Sequence, residues 1–254
     1  MKLLQDRVAV ISGAAHPKGI GKATARLFLE HGARVAILDV DPDGVQESAA
    51  SLGAPPGHVL ALACDVGSEA QCRRAVDSVR EWSTGTIDVL VNNAAITQKS
   101  AFLDIEPAAF QQMLSVNLTG VFNLCQAVIP VMIPQSAGSI VSISSLSAQT
   151  GGGVFGGAHY CAAKAGVQGI TRALARELGV HQIRVNAISP GLITTDFSRT
   201  GRSDASKDEA AGQWPLGRAG RPHEIAAGCL FLASELASYI TGTTLDINGG
   251  ARMN

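Results

Sequence analysis

Short β-branched runs alternate along the chain with longer stretches whose apolar residues recur at helical spacing. This is the pattern of repeated βα units around a parallel sheet. The predicted strands are Arg7–Ser12, Arg34–Asp39, His58–Ala63, Ile87–Val91, Ser139–Ser144, Ile183–Ala187 and Thr243–Ile247. Each is a nearly continuous hydrophobic run, as a strand covered on both faces requires. Between them the spacing predicts helices at Gly19–His31, Pro42–Leu52, Ser68–Ser83, Ala108–Pro130, Ala158–Gly179 and Pro222–Leu232. No low-complexity linker or internal repeat divides the alternation. The expectation is one α/β domain over residues 1–254, a doubly wound, seven-stranded parallel sheet with helices on both faces. Only Ser198–Gly212 (SRTGRSDASKDEAAG) breaks the pattern, and it reads as a polar, mobile surface lobe spanning roughly residues 196–215.

With 46% apolar and 16% charged residues, the 254-residue chain can bury a large core. Its formal net charge of −1 gives no electrostatic footprint for nucleic acid or an anionic membrane. The opening MKLLQDRVAVISG carries charges at Lys2, Asp6 and Arg7 and runs straight into a strand, unlike a secretory signal. No stretch approaches the roughly 18–20 apolar residues of a membrane span, so a cytoplasmic protein is expected. The five cysteines are scattered without a CxxC pair, and the histidines show no ligand spacing, so no metal site is expected.

Chemistry enters at the first strand end. Ser12-Gly13-Ala14-Ala15-His16-Pro17-Lys18-Gly19-Ile20-Gly21 lies between a strand and a helix. Glycines there let the backbone approach a pyrophosphate, and the helix N-terminus supplies free N–H groups and a favourable dipole. Asp39 ends the second strand, 18 residues beyond Gly21. Its carboxylate can accept hydrogen bonds from an adenosine ribose and would repel a 2′-phosphate. Asp65, beside Val66 after the third strand, is placed to accept from an adenine amino group. Asn92-Asn93-Ala94-Ala95 follows the fourth strand with small residues that permit close backbone approach. Tyr160-Cys161-Ala162-Ala163-Lys164 then places a phenol and an ammonium at i and i+4, on one helix face.

This ordered series resembles the short-chain dehydrogenases/reductases, in the branch of about 250 residues with a Rossmann-type fold. The resemblance runs from Arg7 to Gly250 through the Gly13/Gly19/Gly21 loop, Asp39, Asp65, Asn92–Ala95, Asn117, Ser144-Ser145, Tyr160/Lys164, Pro190-Gly191 with Thr195, and Gly249-Gly250. It implies hydride transfer between a nicotinamide cofactor and an alcohol/carbonyl pair. Tyr160 would transfer the proton, with its phenol favoured in the ionised form by the Lys164 ammonium. Lys164 would also hold the nicotinamide ribose, a serine would steady the substrate oxygen, and Asn117 would serve a proton relay to the lysine. Cofactor contacts are implied at Gly13, Lys18, Gly19, Ile20, Gly21, Asp39, Asp65, Val66, Asn93, Ala94, Ala95, Tyr160, Lys164, Pro190, Gly191, Ile193 and Thr195. The last two would fix the carboxamide. Asp39 points to NAD, with Lys18 the opposing signal for NADP. The closing segment Leu230–Gly250 resembles the one through which family members assemble into tetramers.

Three departures matter. Five residues separate Gly13 from Gly19 where the family usually has three, so His16 and Pro17 either bulge outward or touch the pyrophosphate. Ala95 stands where glycine is usual, so that turn must avoid positive φ. Ser147 lies 13 residues before Tyr160, the usual spacing, and Ser145 lies 15 before it. Matching the strand IVSISS selects Ser145, with Gly151–Gly157 absorbing the insertion and Ser144 and Ser147 as reserves. The substrate stays open, with Phe155, Phe197 and Trp214 as candidate apolar walls. The alternatives are an NADPH-dependent carbonyl or 3-oxoacyl reductase and a dinucleotide-binding regulator without catalysis. The tyrosine–lysine spacing is shorter than that of enoyl reductases.

Overall fold

The computed structural model describes residues 2–152, 156–197 and 203–253. Seven strands, β1 (Val8–Ser12), β2 (Arg34–Asp39), β3 (Val59–Ala63), β4 (Val89–Asn92), β5 (Gly138–Ile143), β6 (Ile183–Pro190) and β7 (Thr244–Ile247), form one sheet. All pairs are parallel and the order is β3-β2-β1-β4-β5-β6-β7. Each predicted strand lies within a few residues of an observed one.

Alternation along the strands explains why they read as unbroken apolar runs. Val8 and Val10 of β1 join Ala36 and Leu38 of β2 in one core. Ala9 and Ile11 join Val35 and Ile37 in a second core on the opposite face. The first core is closed by helices α3 (Glu69–Ser83), α5 (Gly120–Gln135) and α7 (Ala158–Leu178), through Val76, Val79, Leu124, Val128 and Val167. The second is closed by α1 (Ile20–Glu30), α2 (Pro42–Ala50) and α9 (Pro222–Ala233), through Phe28, Val45, Ile225 and Leu232. A parallel sheet has no solvated face, so both sides of each strand must be hydrophobic.

The predicted helix Ala108–Pro130 is instead three consecutive pieces. These are α4 (Pro107–Leu114), a π-helical turn over Ser115–Thr119, and α5, which continues past Pro130 and Pro134 to Gln135. The two prolines forfeit N–H donors, yet burial of Val128 and Met132 holds the helix beyond them. The whole run corrects the expectation that nothing here is apolar enough for a membrane. It carries no charged residue, and a window of 18 residues within Pro107–Gln135 reaches a mean hydropathy of 1.6. Its apolar face is spent on the core beneath the sheet.

Two short helices were not predicted: α6 (Ser147–Thr150) and α8 (Asp204–Ala210). The second lies inside the segment expected to be a polar surface lobe. From Ser203 onward that segment is anchored, with the Lys207 side chain buried and Asp208 paired to Arg221 at 2.9 Å. The strand order reverses between β1 and β4, the central strand of the seven. Ligands of such sheets bind outside the carboxyl ends of the strands at that reversal.

Candidate active site

At the reversal, the ends of β1 and β4 are cross-linked by side chains. The Asn93 amide donates to the Ser12 and Gly13 carbonyls at 3.0 and 2.9 Å. The Ser12 hydroxyl accepts from the Asn93 and Ala94 backbone N–H groups, both at 3.1 Å. Gly13 sits at φ +70, and a Cβ there would lie 2.7 Å from the Ala94 Cα. A Cβ on Gly21 would strike the Gly13 carbonyl and lie 2.7 Å from the Asn93 amide nitrogen. Gly19 is the N-cap of α1 and provides no side chain to satisfy its first-turn N–H groups. A glycine-lined crevice beside an uncapped helix N-terminus fits a dinucleotide pyrophosphate. Ala95 is absent from the described positive-φ positions, so alanine is tolerated there.

The two extra residues of this loop have a visible consequence. His16 closes a turn by accepting from the Gly19 N–H through its carbonyl, and its Nε2 lies 3.7 Å from Asp196 beyond β6. The bulge therefore faces the loop after β6. Lys18 is exposed.

Asp39 accepts from the Ala15 N–H at 2.9 Å and from the Asp41 N–H at 3.3 Å, so its carboxylate overhangs the glycine loop. Asp65 accepts from the Gly67 N–H at 2.9 Å, and the Val66 carbonyl accepts from the Asn123 amide at 2.9 Å. Both lie at the carboxyl end of β3, next to the Asp39 strand.

Tyr160 and Lys164 stand on the buried face of α7, at 7% and 2% exposure. Of the three candidate serines, Ser145 is the one hydrogen-bonded to the Tyr160 phenol. Its Oγ also accepts from the Ser147 N–H at 3.1 Å. Ser144 is turned away: its hydroxyl donates to the Lys164 carbonyl at 2.9 Å and accepts from Gln168 at 3.1 Å. The Lys164 ammonium donates to the Ile143 carbonyl at 2.8 Å and lies 6.0 Å from the centroid of the Tyr160 ring. Burial pushes the Tyr160 phenol up to about 12, against the lowering effect of the Ser145 hydrogen bond, and pulls the Lys164 ammonium down to about 7. Desolvation disfavours the charged form of each group.

Asn117 lies in the π-turn, a feature that concentrates at functional sites. Its amide donates to the Ile96 and Met113 carbonyls at 3.0 and 2.9 Å, and its buried Oδ1 has no protein partner. His159, beside Tyr160, is wholly buried on the same helix.

After β6, Gly191 donates to the Ile247 carbonyl and Ile193 bridges to Gly220. The Thr195 N–H turns back to the Ile193 carbonyl at 2.8 Å. This brings Pro190, Gly191, Ile193 and Thr195 to the same carboxyl edge. Phe197 reaches Tyr160, with ring centroids 6.4 Å apart. Trp214, expected as a wall, packs instead against a small core of Leu192, Ala211 and Ala219. Phe155 lies outside the described residues. No cluster of potential metal ligands occurs among the described residues.

A family model described as Enoyl-(Acyl carrier protein) reductase matches residues 13–252. An uncharacterized short-chain type dehydrogenase/reductase of Sinorhizobium fredii is 49% identical over 98% of each chain. The chain belongs to the short-chain dehydrogenase/reductase family. A 3-oxoacyl-[acyl-carrier-protein] reductase of Chlamydia muridarum is 40% identical over 98% of each chain. The solved structure of a short-chain dehydrogenase/reductase of Brucella melitensis, titled glucose/ribitol dehydrogenase, is 38% identical and superposes with a TM-score of 0.88 over 100% of both chains. This short-chain dehydrogenase/reductase is an oxidoreductase of CH–OH or carbonyl groups, in a family that uses nicotinamide dinucleotides.

Sequence reasoning missed Gln168 and Lys207. Gln168 holds Ser144 away from the phenol, and Lys207 holds the Thr195 turn by donating to its carbonyl. Two turns of helix beyond Tyr160, Gln168 carried the helical-face signal that finds it; a lysine in a charged stretch carried none. If Ser145 meets the substrate oxygen, Ser145→Ala lowers kcat by about 10²-fold or more. Ser144→Ala is milder in this short-chain dehydrogenase/reductase, and steady-state kinetics with any accepted ketone that ranks the two equally or in reverse contradicts the assignment.

Proposed function

We propose that the chain is an NAD-dependent oxidoreductase that interconverts a secondary alcohol, polyol or sugar with its ketone. The observation that carries this reading is the buried Tyr160 phenol, hydrogen-bonded to Ser145 and sharing one face of α7 with Lys164. When bound, the nicotinamide ring supplies or takes the hydride. The residues that would hold the dinucleotide are the Gly13–Gly21 loop with Lys18 at its edge, Asp39, Asp65, Val66, Asn93–Ala95, Lys164, and Pro190–Thr195.

The chain's own groups handle the oxygen and its proton. Ser145 donates to the substrate oxygen and steadies its developing negative charge. Tyr160 gives a proton to that oxygen in reduction and takes it in oxidation. Lys164 offers its remaining N–H groups to the cofactor ribose, and the Asn117 turn continues the proton path. Phe197 beside Tyr160 supplies an apolar wall.

Tyr160→Phe removes only the hydroxyl. It is expected to lower kcat by at least about 10²-fold while NADH still binds, and near-normal turnover would refute the assignment. Because burial holds the phenol protonated well above neutrality, the acid form that reduction needs is present throughout pH 6–9. Ketone reduction is therefore expected to vary little over that range, whereas alcohol oxidation, which needs the ionised phenol, rises with pH. Initial rates in both directions check this, and oxidation that falls as pH rises speaks against Tyr160 as the base.

Asp39 supports NAD as the preferred cofactor. Its carboxylate already occupies the edge of the glycine loop, and a 2′-phosphate would bring a charge near −2 beside it. Like charges about 4 Å apart cost about 1 kcal/mol in water and several near a protein surface. Comparison of kcat/KM for the two cofactors is expected to favour NAD by tenfold or more, and Asp39→Ala to narrow the gap. An unchanged ratio shows that Asp39 does not meet the ribose. A second reading, 3-oxoacyl reduction with NADPH, draws on the name of the Chlamydia muridarum relative and on exposed Lys18; a reversed cofactor preference selects it.

The enzyme is read as a cytoplasmic homotetramer. β7 is an edge strand, and Phe122, Leu236 and Tyr239 leave large apolar surfaces exposed. Light scattering is expected to report four chains, with two as the next state; a stable monomer contradicts the assembly.

A further inference from the structure

Lys207 sits within SRTGRSDASKDEAAG, where composition predicts a solvated side chain, yet it is 2% exposed. From α8 its Nζ donates to the backbone carbonyl of Thr195. A buried lysine is costly to desolvate, and an apolar residue of similar length would fill the same space without that penalty. What the lysine adds is a hydrogen-bond donor aimed at one carbonyl.

The helix that carries it is itself fixed on three sides. Ser203 caps it by accepting from the Ser206 N–H at 3.2 Å. Asp208, the next residue, accepts from the Ala219 N–H at 3.0 Å and pairs with Arg221 at 2.9 Å. Ala211 is wholly buried against Leu192 and Ala219. Lys207 therefore reaches Thr195 from a base that is tied to the segments before and after the turn.

Thr195 is the narrow point of that turn. Its N–H is committed to Ile193 at 2.8 Å, and its hydroxyl accepts from the Phe197 N–H at 3.4 Å. Phe197 in turn lies against the Tyr160 ring. Fixing the Thr195 carbonyl thus fixes the orientation of the Thr195 hydroxyl and the position of the wall beside the phenol.

We propose that Lys207 is a positioning residue: it clamps the Thr195 turn so that this turn can receive the nicotinamide end of the cofactor. The proposal rests on the function proposed above, which places the carboxamide at Ile193 and Thr195. It distinguishes the two halves of the cofactor, because the adenosine half meets Asp39 and Asp65 on the other side of the β1–β4 reversal, beyond the reach of α8.

The test compares wild type, Lys207→Met and Lys207→Arg. The readouts are affinity for NADH and NADPH by nicotinamide fluorescence, affinity for ADP-ribose by calorimetry, and KM and kcat with one ketone. Lys207→Met is expected to weaken the better-bound dinucleotide about tenfold, the scale of one charge-assisted hydrogen bond, and to lower kcat. ADP-ribose affinity is expected to stay within about twofold, and Lys207→Arg to recover most of the dinucleotide affinity. If Lys207→Met does not fold, Lys207→Gln, neutral and too short to reach Thr195, is expected to give the same split. Equal loss for dinucleotide and ADP-ribose, or no loss for either, overturns the role of Lys207 and leaves the function standing. A folded wild-type chain that binds neither NADH nor NADPH removes the function itself.

Discussion

β1 and β4 lie side by side at the centre of the sheet, and the bonds among Ser12, Gly13, Asn93 and Ala94 make them end together. The crevice outside those ends exists because the strand order reverses there, so the connections leaving β1 and β4 diverge to opposite faces. With the two ends joined, the glycine loop, the Asn93–Ala95 turn and the N-terminus of α1 share one rigid frame. Gly13 and Gly21 carry the cost of that closeness, since each meets backbone or the Asn93 amide where a side chain would stand. Every other functional group reaches the site from a strand or helix referenced to this frame. Ser145 follows β5, Tyr160 and Lys164 stand on α7, and the Thr195 turn follows β6.

Burial does more at this site than keep out water. It raises the phenol and lowers the lysine, in each case against the charged form. The same burial makes the polar contacts obligatory. Lys164 finds the Ile143 carbonyl, and Asn117 finds two backbone carbonyls through a helical turn wide enough to admit them.

The sheet was legible because both faces of each strand are covered, which writes a strand as a run rather than an alternation. Helix ends were less legible where burial overrides local chemistry: α5 passes two prolines because its far turn packs in the core. At the site, the strand pattern IVSISS located the serine that meets Tyr160, while counting residues back from the tyrosine would have selected Ser147. A strand end keeps register with its neighbours, and the loop after it absorbs insertions. Spacing reports that Tyr160 and Lys164 are neighbours on one helix face and says nothing of how dry they are. Lys207 escaped notice for a related reason. A polar segment announces exposure by composition, but α8 folds back onto Leu192 and Ala219 and takes Lys207 with it.

The candidate reacting groups and the candidate pocket wall belong to different kinds of structure. Ser145, Tyr160 and Lys164 are set by β5 and a 21-residue helix whose inner face is core. Phe197 stands on a turn that is held by a few bonds to Gly220 and to α8. Mutations in that turn therefore act first on the wall beside Tyr160, while the strand and helix that carry Ser145 and Lys164 keep their place.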